Sequence, residues 1–158
     1  MLPVAFYDLA CSPPTWDFVS FLMAVECWRR HRGHEAVVIA VVDGPADGFR
    51  DDRLPPYTTG ERVKMRDNIV LPLTKLLPSR AAAFRVMRHE AEAMRNERQT
   101  IGLGEVMYGL SLAVDAAAEG VFPLRAPTLV MYGPSSPYVT ITTRECTYWP
   151  QRNSRMDQ

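Results

Sequence analysis

Lysine is almost missing from this chain: of 18 basic residues, only Lys64 and Lys75 are lysines. The arginine excess reads first as codon bias and second as a resource for anion recognition. Net charge is missing too. The 18 acidic residues cancel the 18 basic ones, so no overall field draws the chain to nucleic acid or to an anionic membrane. No apolar run nears the roughly 20 residues that span a bilayer. No basic segment precedes the first apolar run, so no signal peptide is read there and a cytoplasmic location is expected. Cysteine is scarce. Cys11, Cys27 and Cys146 are odd in number and far apart, with no C-x-x-C. That argues against a disulfide framework or a cysteine-rich zinc site and fits a reducing compartment. Neither G-x-G-x-x-G nor G-x-x-x-x-G-K-[ST] occurs, so dinucleotide and P-loop readings lose their main support. No metal and no cofactor is expected.

What is there suffices for one domain. The chain has 158 residues, 47% of them hydrophobic, enough for a proper core and too few for two ordinary ones. "VAFYDLA" (4–10) reads as a buried strand. A helix is predicted from Trp16 to about Arg30, capped by Thr15 and stopped by Gly33. It is apolar around much of its circumference, as expected of a helix covered on more than one side. "EAVVIAVVDG" (35–44) has the continuous apolar character of a central parallel strand. After an Asp-, Gly- and Pro-rich loop (43–60), Thr58 and Glu61 form a capping box. The helix that follows contains Pro72, which should kink or break it, and closes at Pro78. A third strand is predicted over 82–89, a polar helix over 91–99 and an amphipathic helix over 105–119 with Gly120 as its stop. Strands follow over 128–132 and 138–145.

This alternation predicts an α/β fold: a Rossmann-like three-layer sandwich with a mostly parallel sheet in a single domain. Residues 1–132 would form it. Residues 133–158 would supply a last strand and a polar tail, the start of an absent second domain. Right-handed crossovers would bring the strand C-termini to one edge, where open α/β sheets bind ligands. Asp8 to Ser12, Asp43 to Arg50, Arg88 and His89, and Arg144 and Glu145 would then converge.

Each candidate has a plainer alternative. Ser12 and the first helix N-terminus could cradle an anion; Ser12, Pro13 and Pro14 are also ordinary turn residues, and Asp17 favours the helix dipole. Cys11 lies near that N-terminus, and His31, His34 and His89 are candidate bases with no geometry fixed by sequence. The loop carrying Asp43, Asp47, Asp51 and Asp52 fails the calcium-loop pattern, with Pro45 and Leu54 where ligands would stand. Arg50 could approach an anion or pair with Asp51 or Asp52. Arg144, Arg152, Asn153 and Ser154 could bind phosphate. Tyr148 and Trp149 could stack bases, but the missing basic patch weighs against nucleic acid.

Four stretches carry a resemblance: "FYDLACSPPTWDFVSFL", "DGFRDD", "NIVLPLTKLLPS" and "VTITTRE…YWPQRNS". Together they resemble an uncharacterised bacterial family that is similar to the N-terminal half of glycosyltransferases with two Rossmann-like domains, the GT-B architecture. "ITTRE" resembles the His-x-Arg-Arg motif of fucosyltransferase-like members, with Arg144 at the first Arg. It departs at Thr142 and Glu145. The resemblance implies an acceptor-side domain of an enzyme that moves a sugar from a nucleotide sugar to an acceptor sugar. Asp8, Ser12, Asp17, Asp43 and Arg50 would line the acceptor side, and Arg144 with Arg152 would face phosphate. Asp17 and Asp43 are the candidate general bases. The chain alone would be inactive. The competing expectation is a non-catalytic module that docks a partner or a second copy through the first helix or the 138–145 strand.

Overall fold

The computed structural model describes residues 1–50, 57–121, 123 and 124, and the backbone of 127–131 and 139–143. Arg144, Arg152, Asn153, Ser154 and Cys146 lie outside the described residues. Strand β1 (Val4–Asp8) leads to helix α1 (Asp17–Arg32) and strand β2 (Val37–Val42). Helix α2 (Thr59–Met65) runs on through a π-helical stretch (Arg66–Val70), a short α3 (Leu71–Leu73) and a 3₁₀ turn (Thr74–Leu76). Then come β3 (Arg80–Val86), α4 (Arg88–Glu97), β4 (Thr100–Ile101), α5 (Leu103–Ala118), β5 (Pro127–Met131) and β6 (Val139–Thr143). The order β3-β2-β1-β4 forms a sheet whose strands all run parallel. This is the α/β Rossmann-like arrangement the alternation predicted.

Two expectations about the sheet change. The last two strands do not continue it; β5 and β6 pair antiparallel in a separate two-stranded sheet. So short a connection cannot make the right-handed crossover that parallel pairing needs, and the pair closes as a hairpin. The strand beside β1 is instead β4, only two residues long, which no periodicity could announce. Arg88 and His89 do not end β3; they open α4, whose start is marked by Met87 N–H donating to Glu90 Oε2 at 2.9 Å.

Local signals were otherwise followed closely. Gly33 closes α1 at φ 72°. Its N–H bonds to Arg30 C=O at 3.1 Å and that of His34 to Arg29 C=O at 3.1 Å, the doubled closure that a left-handed residue permits. Thr15 does not cap α1: its hydroxyl donates to Asp17 Oδ2 at 2.7 Å. Thr58 does cap α2. Its N–H and hydroxyl donate to Glu61 Oε2 at 2.7 and 2.9 Å, which holds the Glu61 carboxyl below its ordinary range. Pro72 has no N–H for the carbonyl of Asn68. The helix widens just before it, Leu71 N–H reaching back to Arg66 C=O, and the strain is spread over a π turn rather than one kink.

The sheet is covered on both faces. Ala5, Tyr7, Ile39 and Val41 pack under Leu22, Val25 and Trp28 of α1 and Val70 and Leu73 of the α2–α3 segment. Val4, Ala40, Val42 and Val86 pack against Ala91 and Met94 of α4. Helix α1 buries Phe18, Leu22, Ala24, Val25 and Trp28 against the core. Its Glu26 is fully buried. The carboxylate takes Arg29 at 2.8 Å and Arg30 at 2.7 Å, and the Ser79 hydroxyl donates to it. The network ties α1 to the start of β3. Helix α5 crosses α1 so closely that a Cβ on Gly109 would stand 2.0 Å from Ala24 O.

Candidate functional site

The strand order reverses at β1: the chain lays β2 and β3 on one side and returns β4 to the other. Such switch points open a crevice at the strand C-termini. Here it is a cleft of about 420 Å³ between β1, α1 and α5. Phe6, Tyr7 and Asp8 form its floor. Phe21 and Ala24 of α1 face Leu103, Val106 and Leu110 of α5 across it. Ser20, Cys11, Ser12, Ile101 and Gly102 complete the lining.

The turn after β1 shapes one end. Cys11 and Ser12 N–H groups both donate to Asp8 C=O, at 3.1 and 2.9 Å. Tyr7 points under this turn and its hydroxyl donates to Pro13 C=O at 2.8 Å. Burial pushes the Tyr7 phenol up to about 12, and the nearby Asp17 carboxylate adds to the rise. Tyr7 rings against Phe18 and Phe21, centroids 4.6 and 5.1 Å apart, fix the floor and wall together. Cys11 is exposed, while Cys27 is buried within α1 and its thiol is pushed up by desolvation.

Both predicted rim aspartates are there, and arginines occupy both. Asp8 Oδ1 accepts from Arg88 Nη2 at 2.8 Å and from Ala10 N–H at 2.9 Å; Arg95 Nη2 lies 3.7 Å from Oδ2. Asp43 is nearly buried and takes Arg85 Nε at 2.7 Å and Arg85 Nη2 at 2.6 Å, with Arg66 Nη1 at 3.8 Å. These bonds raise the Arg85 guanidinium above its ordinary value. Arg88 Nη2 also reaches Asp43 C=O at 3.4 Å, so one guanidinium joins the ends of β1 and β2. The loop after β2 folds tightly, Gly44 N–H to Gly48 C=O at 2.9 Å. A Cβ on Gly44 would meet Phe49 backbone at 2.3 Å. Arg50 leaves this loop toward Cys11 C=O at 3.5 Å.

The sequence candidates thus separate. Asp8 and Ser12 line the cleft, and Arg50 leans on the turn beside it. Asp43 sits on the rim but turns to Arg85 and Arg66. Asp17 is exposed and bonded to Thr15. His31 and His34 are elsewhere: His31 meets Tyr108 at 3.3 Å and His34 stacks on Trp28 at 5.2 Å. His89 lies at the start of α4, away from the cleft lining. Sequence reasoning missed Tyr7 as a cleft residue and Arg66, Arg85 and Arg95 as rim partners. A phenol inside an apolar strand was the one signal available for Tyr7. Among the described residues, no group of three His, Cys, Asp or Glu side chains is placed to hold a metal, and no helix is long and apolar enough to cross a membrane.

The fold and its switch-point cleft define a Rossmann-like α/β domain. The chain matches no family model, no curated protein and no solved structure.

Proposed function

We propose that this chain is the acceptor-side domain of a glycosyltransferase of the two-Rossmann kind, binding its acceptor in the switch-point cleft and inactive by itself. The observation that carries the reading is the cleft: about 420 Å³, within the range of small-molecule sites, placed where open α/β sheets take ligands. The rim argues for binding rather than self-contained chemistry. Of the two candidate general bases, Asp43 is engaged by Arg85 and Arg66, and Asp17 is bonded to Thr15 and does not line the cleft. The donor nucleotide sugar and the base would come from a second domain.

Cys11 reports on the cleft because it is exposed and lines it. In a Cys146→Ser variant, acceptor glycosides should slow alkylation of Cys11 saturably, and Cys27 should stay unreactive until unfolding. The purified chain should transfer no sugar from a panel of nucleotide sugars. Turnover comparable to that of a two-domain enzyme, or alkylation rates untouched by every glycoside, would overturn the reading.

One observation favours a second reading, a non-catalytic interaction module that pairs with a second copy. Helix α5 leaves Leu103, Met107 and Val114 exposed, spaced along a single helical face. Light scattering tests it: a clean monomer at high concentration rules it out.

A further inference from the structure

A second recess lies along the seam of α1 and α5 and shares no lining residue with the switch-point cleft. It holds about 180 Å³ and is lined by Trp28 and Arg32 of α1 and by Gly104, Glu105 and Tyr108 of α5. Its charges follow from how the helices meet. A basic residue suits the end of one helix and an acidic residue the start of another. Arg32 stands in the last turn of α1 and Glu105 in the first turn of α5. The two line one recess without pairing. Among the described residues, no hydrogen bond or ion pair engages either of them. Their neighbours Arg29 and Arg30, by contrast, are held by Glu26.

The rest of the lining is aromatic, apart from one glycine. Trp28 is 3% exposed and stacks on His34. Its indole N–H is the one buried side-chain polar atom without a hydrogen-bond partner among the described residues. A buried donor of this kind is costly until an acceptor reaches it. Tyr108 is fixed by His31, ring centroids 5.1 Å apart. Gly104 keeps the recess open, with nothing within 4 Å of the place a Cβ would take.

These features select a ligand. A simple anion would meet Glu105, and a simple cation would meet Arg32. A ligand that carries both charges satisfies both. Its apolar part has the faces of Trp28 and Tyr108 to lie on. The volume is below the roughly 300 Å³ at which drug-sized sites begin, so the occupant is small. We propose that this recess binds a free α-amino acid with an apolar side chain, its carboxylate on Arg32, its ammonium on Glu105 and its side chain against Trp28 and Tyr108. The site is separate from the acceptor cleft and does not rest on the sugar-transfer reading.

The probes are L-leucine and L-phenylalanine, each beside its amide, which has no carboxylate, and its N-acetyl form, which has no ammonium. Titrated into ¹⁵N-labelled protein, at least one amino acid should shift the Gly104 and Glu105 amides and the Trp28 indole N–H. Its amide and its N-acetyl form should each bind at least about tenfold more weakly, the loss of one charge-assisted hydrogen bond. Arg32→Gln should weaken the amino acid by a similar factor and leave the amide unaffected. Glu105→Gln should do the same toward the N-acetyl form. Gly104→Leu, which has room for its side chain, should abolish the response with the spectrum still dispersed; if it does not fold, the two charge variants decide. Equal binding of an amino acid and both its derivatives overturns the proposal. So does a response confined to the switch-point cleft, or none from either amino acid at millimolar concentration. Protection of Cys11 by glycosides is unaffected by any of these results.

Discussion

Tyr7 shows how one side chain can couple the floor of a site to the stability of its fold. An unfolded tyrosine ionises near pH 10, whereas the buried Tyr7 phenol is pushed up to about 12. The folded state thus keeps a proton that the unfolded chain has already lost. Tyr7's contribution is fully present below about pH 10 and falls away as pH rises toward 12. The loss is of order 2–3 kcal/mol for a shift of that size. Urea unfolding followed from neutral pH to about pH 11 should show this alkaline decline. Tyr7→Phe should flatten it and cost about 1 kcal/mol at neutral pH, from the lost bond to Pro13. An unchanged alkaline slope in Tyr7→Phe would mean that the phenol is not held as described.

At the scale of elements, the decisive contact is the crossing of α1 and α5. Both helices line the cleft, and their close approach depends on a glycine. A methyl group at Gly109 would overlap Ala24 O and touch Trp28 Cβ at 3.0 Å. The helices would have to separate. Gly109→Ala should lower stability by about 1–3 kcal/mol and widen the cleft. Gly104, earlier on α5, has nothing within 4 Å of the place a methyl group would take. Gly104→Ala should be neutral or add up to about 1 kcal/mol from helix propensity. Thermal unfolding of the two variants side by side checks the contrast, and equal effects would place the close approach elsewhere. Element identities were largely legible: the apolar run 35–44, the Thr58–Glu61 box, and the stops at Gly33 and Gly120 all record local chemistry. Gly120 ends α5 at φ 76°, with Val121 N–H reaching Ala116 C=O at 2.8 Å. Strand β4 was illegible because a two-residue strand has no period. Its pairing is set by where α4 releases the chain.

At the scale of the whole molecule, the parallel sheet brings Asp8 and Asp43 to one edge, as their positions after two apolar runs implied. It does not leave them free. Arg85 lies on the strand beside Asp43, while Arg66 arrives from the π turn and Arg88 from the next helix. Those partners lie 23 to 80 positions away along the chain, and sequence spacing cannot choose among 16 arginines. Association is also decided at this scale. If two copies pair through α5, Met107→Glu should dissociate them and leave cleft binding intact, because Met107 is exposed and does not line the cleft. Light scattering and the Cys11 alkylation rate together read both effects.

The sequence by itself determined the layered α/β class, the direction of the central strands and most helix ends, because apolar period, caps and glycine stops act within a few residues. Only the tertiary structure decided what the site is. The early end of β4 and the return of α5 beside α1 open a cleft at the end of β1, and distant arginines take up the rim carboxylates. Each of these is a contact between segments far apart in the chain, set by packing and not by local propensity.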